Sequence, residues 1–454
     1  MKTMAYIFVL GLLFILTGCN KFLEEKSDKK LAVPHTLADL QALLDDVIYV
    51  GGQTASESEV STDDYYVKEN DMASLPESEQ ALYYWSAELP DDERNGQGWR
   101  NGYREIYYCN LVLEGLTGLT QEERGTVNAH DIMGQALIKR AAAMLAMAEI
   151  WTMGYDNKDV DSPYGLPIRQ NTNFNEKSKR GTLGETYDFI QEDLLKAKDL
   201  LPLKSISKYR PTKAAAYGYL ARLYLFKNDY VNAAIYSDSC ISYHGGKLLD
   251  FGTLDFSKRY GMPLPENNPE VIFLRTLTSF FILGQTVAKI SPDLLNNYDS
   301  NDYRLNLFFY SNSDGSKRFK GSYTGSSGLF CGIALDEMYL IKIEALLQTG
   351  KFELAKIVTK EFVKNRYNLS SGKILNLDSM SNDELLNFIL QERRRELLMR
   401  GLRWSDIKRL NKMGSNLGFE RKESNIKLPP NDLRFAIPIP QNVVDLTGML
   451  KNER

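Results

Sequence analysis

Histidine is nearly missing from this 454-residue chain: His35, His130 and His244 are its whole supply. Cysteine is almost as scarce, with Cys19, Cys109, Cys240 and Cys331. No two cysteines fall within zinc-ligand spacing, so a Cys/His metal centre is excluded. Three scattered cysteines beyond Cys19 make no disulfide framework. Cys109, inside "YREIYYCNLVLEGL", reads as a small buried apolar residue. The chain also lacks an HExxH helix, a phosphate-binding glycine loop ending in lysine, and a nucleophile elbow. A glycosidase draws its two acids from separate places in a fold, and nothing positional selects a pair here. The reading is therefore a non-enzyme without metal or cofactor. A net charge of -4 removes the basic surface that nucleic acid requires. Apolar residues make up 43% and charged residues 25%, the balance of a globular protein.

The N-terminus, "MKTMAYIFVLGLLFILTGCN", has a lysine and then an apolar run from Ala5 to Leu16. The run is too short to span a bilayer, which takes about 20 residues. It reads as a secretory signal, residues 1–18. Leu16-Thr17-Gly18-Cys19 is similar to a bacterial lipobox, in which the cysteine is acylated and becomes the first mature residue. Two or more acyl chains on Cys19 suffice for stable anchoring. Residues 19–35 are polar and charged and read as a stalk that ends at Pro34.

Helical periodicity dominates the rest. "TLADLQALLDDVI" opens on Thr36 as an N-cap and puts Leu37, Leu40, Leu43 and Leu44 on one face. "GTLGETYDFIQEDLLKAKDLLP" carries a capping box, Thr182 with Glu185. "IMGQALIKRAAAMLAMAEIWTMGY" is rich in alanine and methionine, the composition of a buried, closely packed helix. Two later segments share a helix–link–helix form. Lys227-Asn228-Asp229 links one pair and Thr349-Gly350-Lys351 the other. Each second helix starts on an aromatic with alanine three residues on: Tyr230 and Ala233, Phe352 and Ala355. This is tetratricopeptide logic in degenerate form. The expected fold is mainly α, a TPR-like scaffold of helical pairs with long irregular loops and a few short strands. The loops are residues 49–98 and 244–330, and loops of that length are usually functional. "EVIFLRTLTSFFI" is the best strand candidate. "SPYGLPIR" reads as a rigid structural turn.

Several segments, in order, carry a family resemblance. They are the lipobox with "NKFLEE", then "WRNGYREIYYCNLVLEGL", "IKRAAAMLAMAEIWTMGY", "SPYGLPI" and "RGTLGETYDFIQEDLLKAKDLLP". "RPTKAAAYGYLARLYLFKNDYVNAA", "DEMYLIKIEALLQTGKFELA", "ERRRELLMRGLRWSDIKRL" and "FAIPIPQNVV" follow. The chain resembles the SusD/RagB family, surface lipoproteins of Bacteroidetes nutrient-uptake systems. The resemblance implies one compact unit made of a helical N-terminal part, 36–243, and a C-terminal part, 244–454. It implies a lipid-anchored outer-membrane protein that captures a glycan and hands it to a TonB-dependent, SusC-like transporter. A non-glycan nutrient such as a peptide or glycoprotein fragment is the alternative ligand. A TPR-type protein–protein adaptor lipoprotein is the alternative class. Arg400, Leu402 and Ser405 depart from the family's usual glutamate, histidine and aromatic in the arginine segment.

Glycan capture needs aromatic faces. Trp99, Tyr103 and Tyr107 share a helix face with Leu111 and read as core. Tyr83, Tyr84 and Trp85 form a consecutive run that cannot all face one core, so Trp85 leads the ligand candidates. Tyr65 and Tyr66, beside Asp63 and Asp64, come next, then Tyr298 and Tyr303 in the later loop, with Tyr310 nearby. "LQERRRELLMRGLRWSDIKRL", from Leu390 to Leu410, is the densest basic stretch. On a helical wheel Arg393 falls mid-way in the apolar face of Leu386, Ile389, Leu390 and Leu397. Arg394 and Arg400 fall at its margins and Arg395 opposite. A buried arginine needs a carboxylate. Glu396 is the expected partner of Arg393, with Glu392 and Asp406 also near. The stretch reads as a structural ion-pair lock and not as a ligand site.

Overall fold

The structure is a computed structural model that describes residues 34–371 and 376–454. The signal segment and Cys19 lie outside the described residues. Among the described residues, ten helices of nine residues or more build the scaffold: α1 (Leu37–Asp45), α2 (Gln97–Thr117), α3 (Val127–Trp151), α4 (Leu183–Leu200), α5 (Lys213–Phe226), α6 (Tyr230–His244), α7 (Leu335–Gln348), α8 (Phe352–Val363), α9 (Asn382–Glu396) and α10 (Arg403–Lys412). Five of the starts, those of α1, α3, α4, α6 and α9, carry a side-chain cap. The Thr36 hydroxyl accepts the Asp39 N–H at 3.2 Å to cap α1. At α4 the Thr182 hydroxyl accepts from Glu185 N, while Glu185 accepts from Thr182 N at 2.7 Å. Each such cap satisfies helix N–H groups that have no partner within the helix.

The alanine-rich α3 is buried over most of its length and packs on α2 and α4. Gly102 lets α2 and α3 approach: a Cβ there would lie 2.3 Å from the Met147 sulfur. The two helix–link–helix segments are α5–α6 and α7–α8. Their links turn through left-handed residues at equivalent places, Asn228 (φ 54°) and Gly350 (φ 76°). Ala233 and Ala355 are fully buried where the paired helices touch. Although far apart in sequence, the pairs stack, because α6 packs on α7.

The long loops are less irregular than expected. Residues 49–98 hold three short helices, Glu57–Val60, Glu69–Met72 and Glu77–Tyr83. Eight short strands form four antiparallel two-stranded ladders among the described residues: β1 (Tyr65–Tyr66) with β3 (Lys289–Ile290), β2 (Val271–Phe273) with β6 (Ile333–Ala334), β4 (Phe309–Ser311) with β5 (Lys317–Phe319), and β7 (Phe419–Arg421) with β8 (Ile426–Leu428). The strand expected in "EVIFLRTLTSFFI" is β2, only its first part. One buried apolar cluster runs from Ala55 to Ile439 and joins both halves of the chain. A smaller one lies among α1, α2 and α3 and includes Cys109. Cys109, Cys240 and Cys331 are free and buried. No described helix is long and apolar enough to cross a membrane.

The arginine segment is α9, a bend through Met399 (φ 58°) and Gly401 (φ 75°), and α10. Arg393 is buried, but its carboxylate partner is Asp406, not Glu396: its Nε lies 2.9 and 2.8 Å from the two oxygens. The bend folds α10 back so that Asp406 meets Arg393, whereas Glu396 faces the loops. There Glu396 accepts from Arg304 and Arg366, each at 2.8 Å. Arg395, placed opposite the apolar face on the wheel, is buried too, because residues 297–304 cover that side and Asn297 O accepts its Nη1 at 2.7 Å.

Candidate functional site

The two long loops meet at residues 276–282. Thr54 N donates to Thr276 O at 2.9 Å, Thr278 N to Thr54 O at 2.7 Å, and the Ser56 hydroxyl to Thr278 O at 2.7 Å. The first turn of α2 adds Asn101, whose Nδ2 donates to the Thr278 hydroxyl at 3.2 Å. The buried Glu79 carboxylate then gathers the next residues, accepting Phe281 N at 3.2 Å and Ile282 N at 2.8 Å. Arg94 holds Glu79 from outside at 3.2 Å and donates to Ser279 O at 2.5 Å. Its guanidinium lies 5.3 Å from the Phe280 ring centre and 4.7 Å from that of Phe281. These contacts split a phenylalanine doublet: Phe280 is buried, while Phe281 is 61% exposed.

Beside this turn is a cleft of about 280 Å³. Its apolar wall includes Leu277, Leu283, Leu329 and Met399, and its polar wall includes Gln285, Thr286 and Ser327. No lining residue is charged. The volume sits near the lower end of the roughly 300–1,000 Å³ of ligand pockets. Phe280 lines the cleft, and the next residue, Phe281, is exposed outside that lining. A neutral cleft with hydroxyl and amide groups suits a ligand with many hydroxyls. It offers no acid–base pair.

The expected aromatic residues lie elsewhere. Trp85 is 2% exposed, its Nε1 donates to Ser61 O at 2.9 Å, and it packs against Phe419. Tyr83 and Tyr65 are equally buried, with the Arg421 guanidinium 3.5 Å from the Tyr83 ring centre. Consecutive aromatics share one core because Trp85 has φ 54°, which reverses the chain after the Glu77–Tyr83 helix. Tyr84 and Tyr66 are half-buried at the edge. Tyr298 is buried and donates to Arg395 O at 2.8 Å; Tyr303 packs on Phe256. Trp85, Tyr83, Tyr65 and Tyr298 are therefore corrected from ligand surfaces to core residues. On α2, Trp99 is buried while Tyr103, Tyr107 and Leu111 are only partly so. Phe281 was missed because it sat in an expected strand. An out-facing member of a Phe-Phe doublet was the available signal, since alternate strand residues face opposite ways.

Below the scaffold's loops lies a buried ionic network. Arg304 donates to Asp302 at 2.8 and 2.7 Å, to Glu392 and Glu396 at 2.8 Å, and to the Tyr367 hydroxyl at 3.0 Å. Arg366 joins Glu396 to Glu270, and Arg400 pairs with Asp336 at 2.5 Å. Glu270, Asp336 and Glu396 are the one carboxylate group among the described residues close enough to share a metal ion. All three already accept from arginines. Burial, then the Asp336 and Glu396 charges, push Glu270 up to about 7 against the pull of Arg366.

Comparison with known proteins defines the class. A family described as "Starch-binding associating with outer membrane" matches residues 21–225, and one described as "SusD family" matches 335–452. The chain belongs to the SusD family. A SusD-like protein P2 of Formosa agariphila is 25% identical over 378 residues, 70% of this chain and 72% of that protein. A SusD superfamily structure from Bacteroides thetaiotaomicron superposes with TM-score 0.76 at 22% identity, covering 92% of this chain and all of that one. A putative sugar binding protein of Bacteroides vulgatus gives 0.72 at 20% identity, covering 92% and 99%. A SusD-like carbohydrate binding protein of Bacteroides fragilis gives 0.61 at 14%, covering 91% and 98%. The fold is thus the helical SusD fold.

Proposed function

We propose that this chain is a glycan-binding lipoprotein of the outer membrane, anchored through Cys19, that delivers an oligo- or polysaccharide to a TonB-dependent, SusC-like transporter. The observation that carries the reading is the neutral, hydroxyl-lined cleft beside exposed Phe281, at the junction of the two long loops. Two structural relatives described as sugar or carbohydrate binding support it. In this reading sugar hydroxyls bond to Gln285, Thr286 and Ser327 inside the cleft, and the exposed ring of Phe281, outside the cleft lining, takes a ring face of a neighbouring sugar of the same chain. Burying one face of a phenylalanine is worth about 1–2 kcal/mol, or about 5- to 30-fold in affinity.

The test is affinity electrophoresis against a panel of soluble polysaccharides, with a peptide panel as the second arm. Phe281→Ala is expected to weaken binding of the captured glycan by about tenfold. Peptide capture with no glycan capture would overturn the reading. Cys19→Ala is expected to release the protein from the membrane fraction; retention would refute the anchor.

A further inference from the structure

The neutral cleft is more apolar than hydroxyls alone require. Leu277, Phe280, Leu283, Phe319, Leu329 and Met399 line it, against Ser279, Gln285, Thr286 and Ser327. A hydroxyl gains nothing from a leucine wall, and one pressed against it without a partner is costly. The wall calls for an apolar group on the ligand. Its parts come from separate stretches of chain. Leu277 and Leu329 lie side by side, because Leu277 N donates to Leu329 O at 2.9 Å. Leu283 closes the short helical turn Phe281–Leu283. Met399 comes from the bend before α10 and has φ 58°. A left-handed residue with a side chain is uncommon, and such residues gather at ligand sites. The flexible thioether of methionine suits a wall that must close on a small apolar group.

The polar side has a fixed sense. Gln285 Nε2 donates to Lys320 O at 2.8 Å. A carbonyl can only accept, so this bond settles which end of the amide is which. Gln285 Oε1 receives no bond among the described residues and is open to solvent. It accepts and cannot donate. Thr286 and Ser327 are exposed, and their hydroxyls are free to donate or accept. The cleft therefore offers one obligatory acceptor, hydroxyls of either sense, an apolar wall and no charge.

We infer that the cleft takes an N-acetylated sugar and reads its acetamido group. The N–H donates to Gln285 Oε1, the carbonyl accepts from the Thr286 or Ser327 hydroxyl, and the methyl packs on Leu283, Leu329 and Met399. One substituent answers all three features. A bare hydroxyl leaves the wall uncovered, and the methyl of a 6-deoxy sugar leaves Gln285 without a donor. A free amine brings a charge that no lining residue pairs. The inference rests on the glycan reading of the same cleft, and it gives to the acetamido N–H the Gln285 contact assigned there to a sugar hydroxyl.

Ligand-observed NMR titration of the full mature chain tests it, with the methyl glycosides of N-acetylglucosamine, N-acetylgalactosamine, glucose, galactose and fucose. At least one acetamido sugar is expected to bind about tenfold tighter than its parent, the worth of a buried methyl and one added hydrogen bond. Gln285→Met removes the acceptor, and Leu329→Ser breaks the wall at a half-buried position. Each is expected to bring that ratio down to about threefold or less, with native circular dichroism. Acetamido sugars no tighter than their parents, fucoside as the tightest ligand, or a ratio indifferent to both variants would overturn the inference. Any of these beside polysaccharide capture that Phe281→Ala weakens would leave the glycan reading standing. Binding of neither sugar nor polysaccharide would sink both.

Discussion

Two clefts of this molecule are built from opposite materials. The cleft beside Phe281 has no charged lining residue and borders an exposed ring. A second cleft, at α9 and α10, is lined by four arginines and two aspartates. The first is made of loop residues held in place from behind by Glu79, Arg94 and Asn101. The second is the outer edge of a network that holds the scaffold together. A ligand group at the neutral cleft can be removed without disturbing the fold, whereas charges near the arginine cleft serve structure first.

That contrast can be broken at its strongest point. Arg304→Met leaves Asp302, Glu392 and Glu396 short of a partner in the interior. Breaking a buried ion pair costs about 3–5 kcal/mol. Urea unfolding is expected to show a loss of that size. A loss below about 1 kcal/mol would mean that the network is not a structural lock. Trp85→Ala is expected to cost a similar ~3–5 kcal/mol by opening a cavity against Phe419, while the molecules that stay folded keep native glycan affinity. An affinity loss without a stability loss would return Trp85 to the binding surface.

The next effect is pH-dependent. Burial, with the charges of Asp64 and Asp63, pushes Glu59 up to about 8, against the hydrogen bond it accepts from Gly401 N at 2.7 Å. Its folded pKa is above its unfolded one, so folding takes up a proton between them. The stability this contributes is full below about pH 4.5 and lost as pH rises through 8. Glu59→Gln keeps an acceptor for Gly401 and removes the titration. The variant is therefore expected to gain on the native chain by ~2–5 kcal/mol between pH 5 and 9. A constant difference across that range would contradict the assignment. Asp63 works in the other direction: Arg403 and Arg394 outweigh its burial and hold it at about 2, so its contribution disappears only as pH falls through 2. The smallest effect is on stability at the neutral cleft, where Phe281→Ala is expected to stay within about 0.5 kcal/mol of the native chain.

Helices were legible in the sequence because their signals are local. Thr36 and Thr182 mark their own helices, and the paired links at Asn228 and Gly350 mark the repeats. The candidate site was not, because burial there is decided by distant partners. Trp85 looks free until a positive φ and Phe419, from the far end of the chain, enclose it. Arg393 was placed on the correct side of its helix, but the bend at Gly401 that brings Asp406 to it is a tertiary event. Phe281 looks like one more strand residue until Glu79 and Arg94 hold it at the surface.

The claim at the centre is that glycan is read at the neutral cleft and not by the buried aromatics of residues 65–85. The most direct measurement is the glycan dissociation constant of Phe281→Ala and of Trp85→Phe beside the native chain, on one captured polysaccharide. The account predicts about a tenfold loss for Phe281→Ala and none for Trp85→Phe. A native dissociation constant in Phe281→Ala with a weakened one in Trp85→Phe would contradict it.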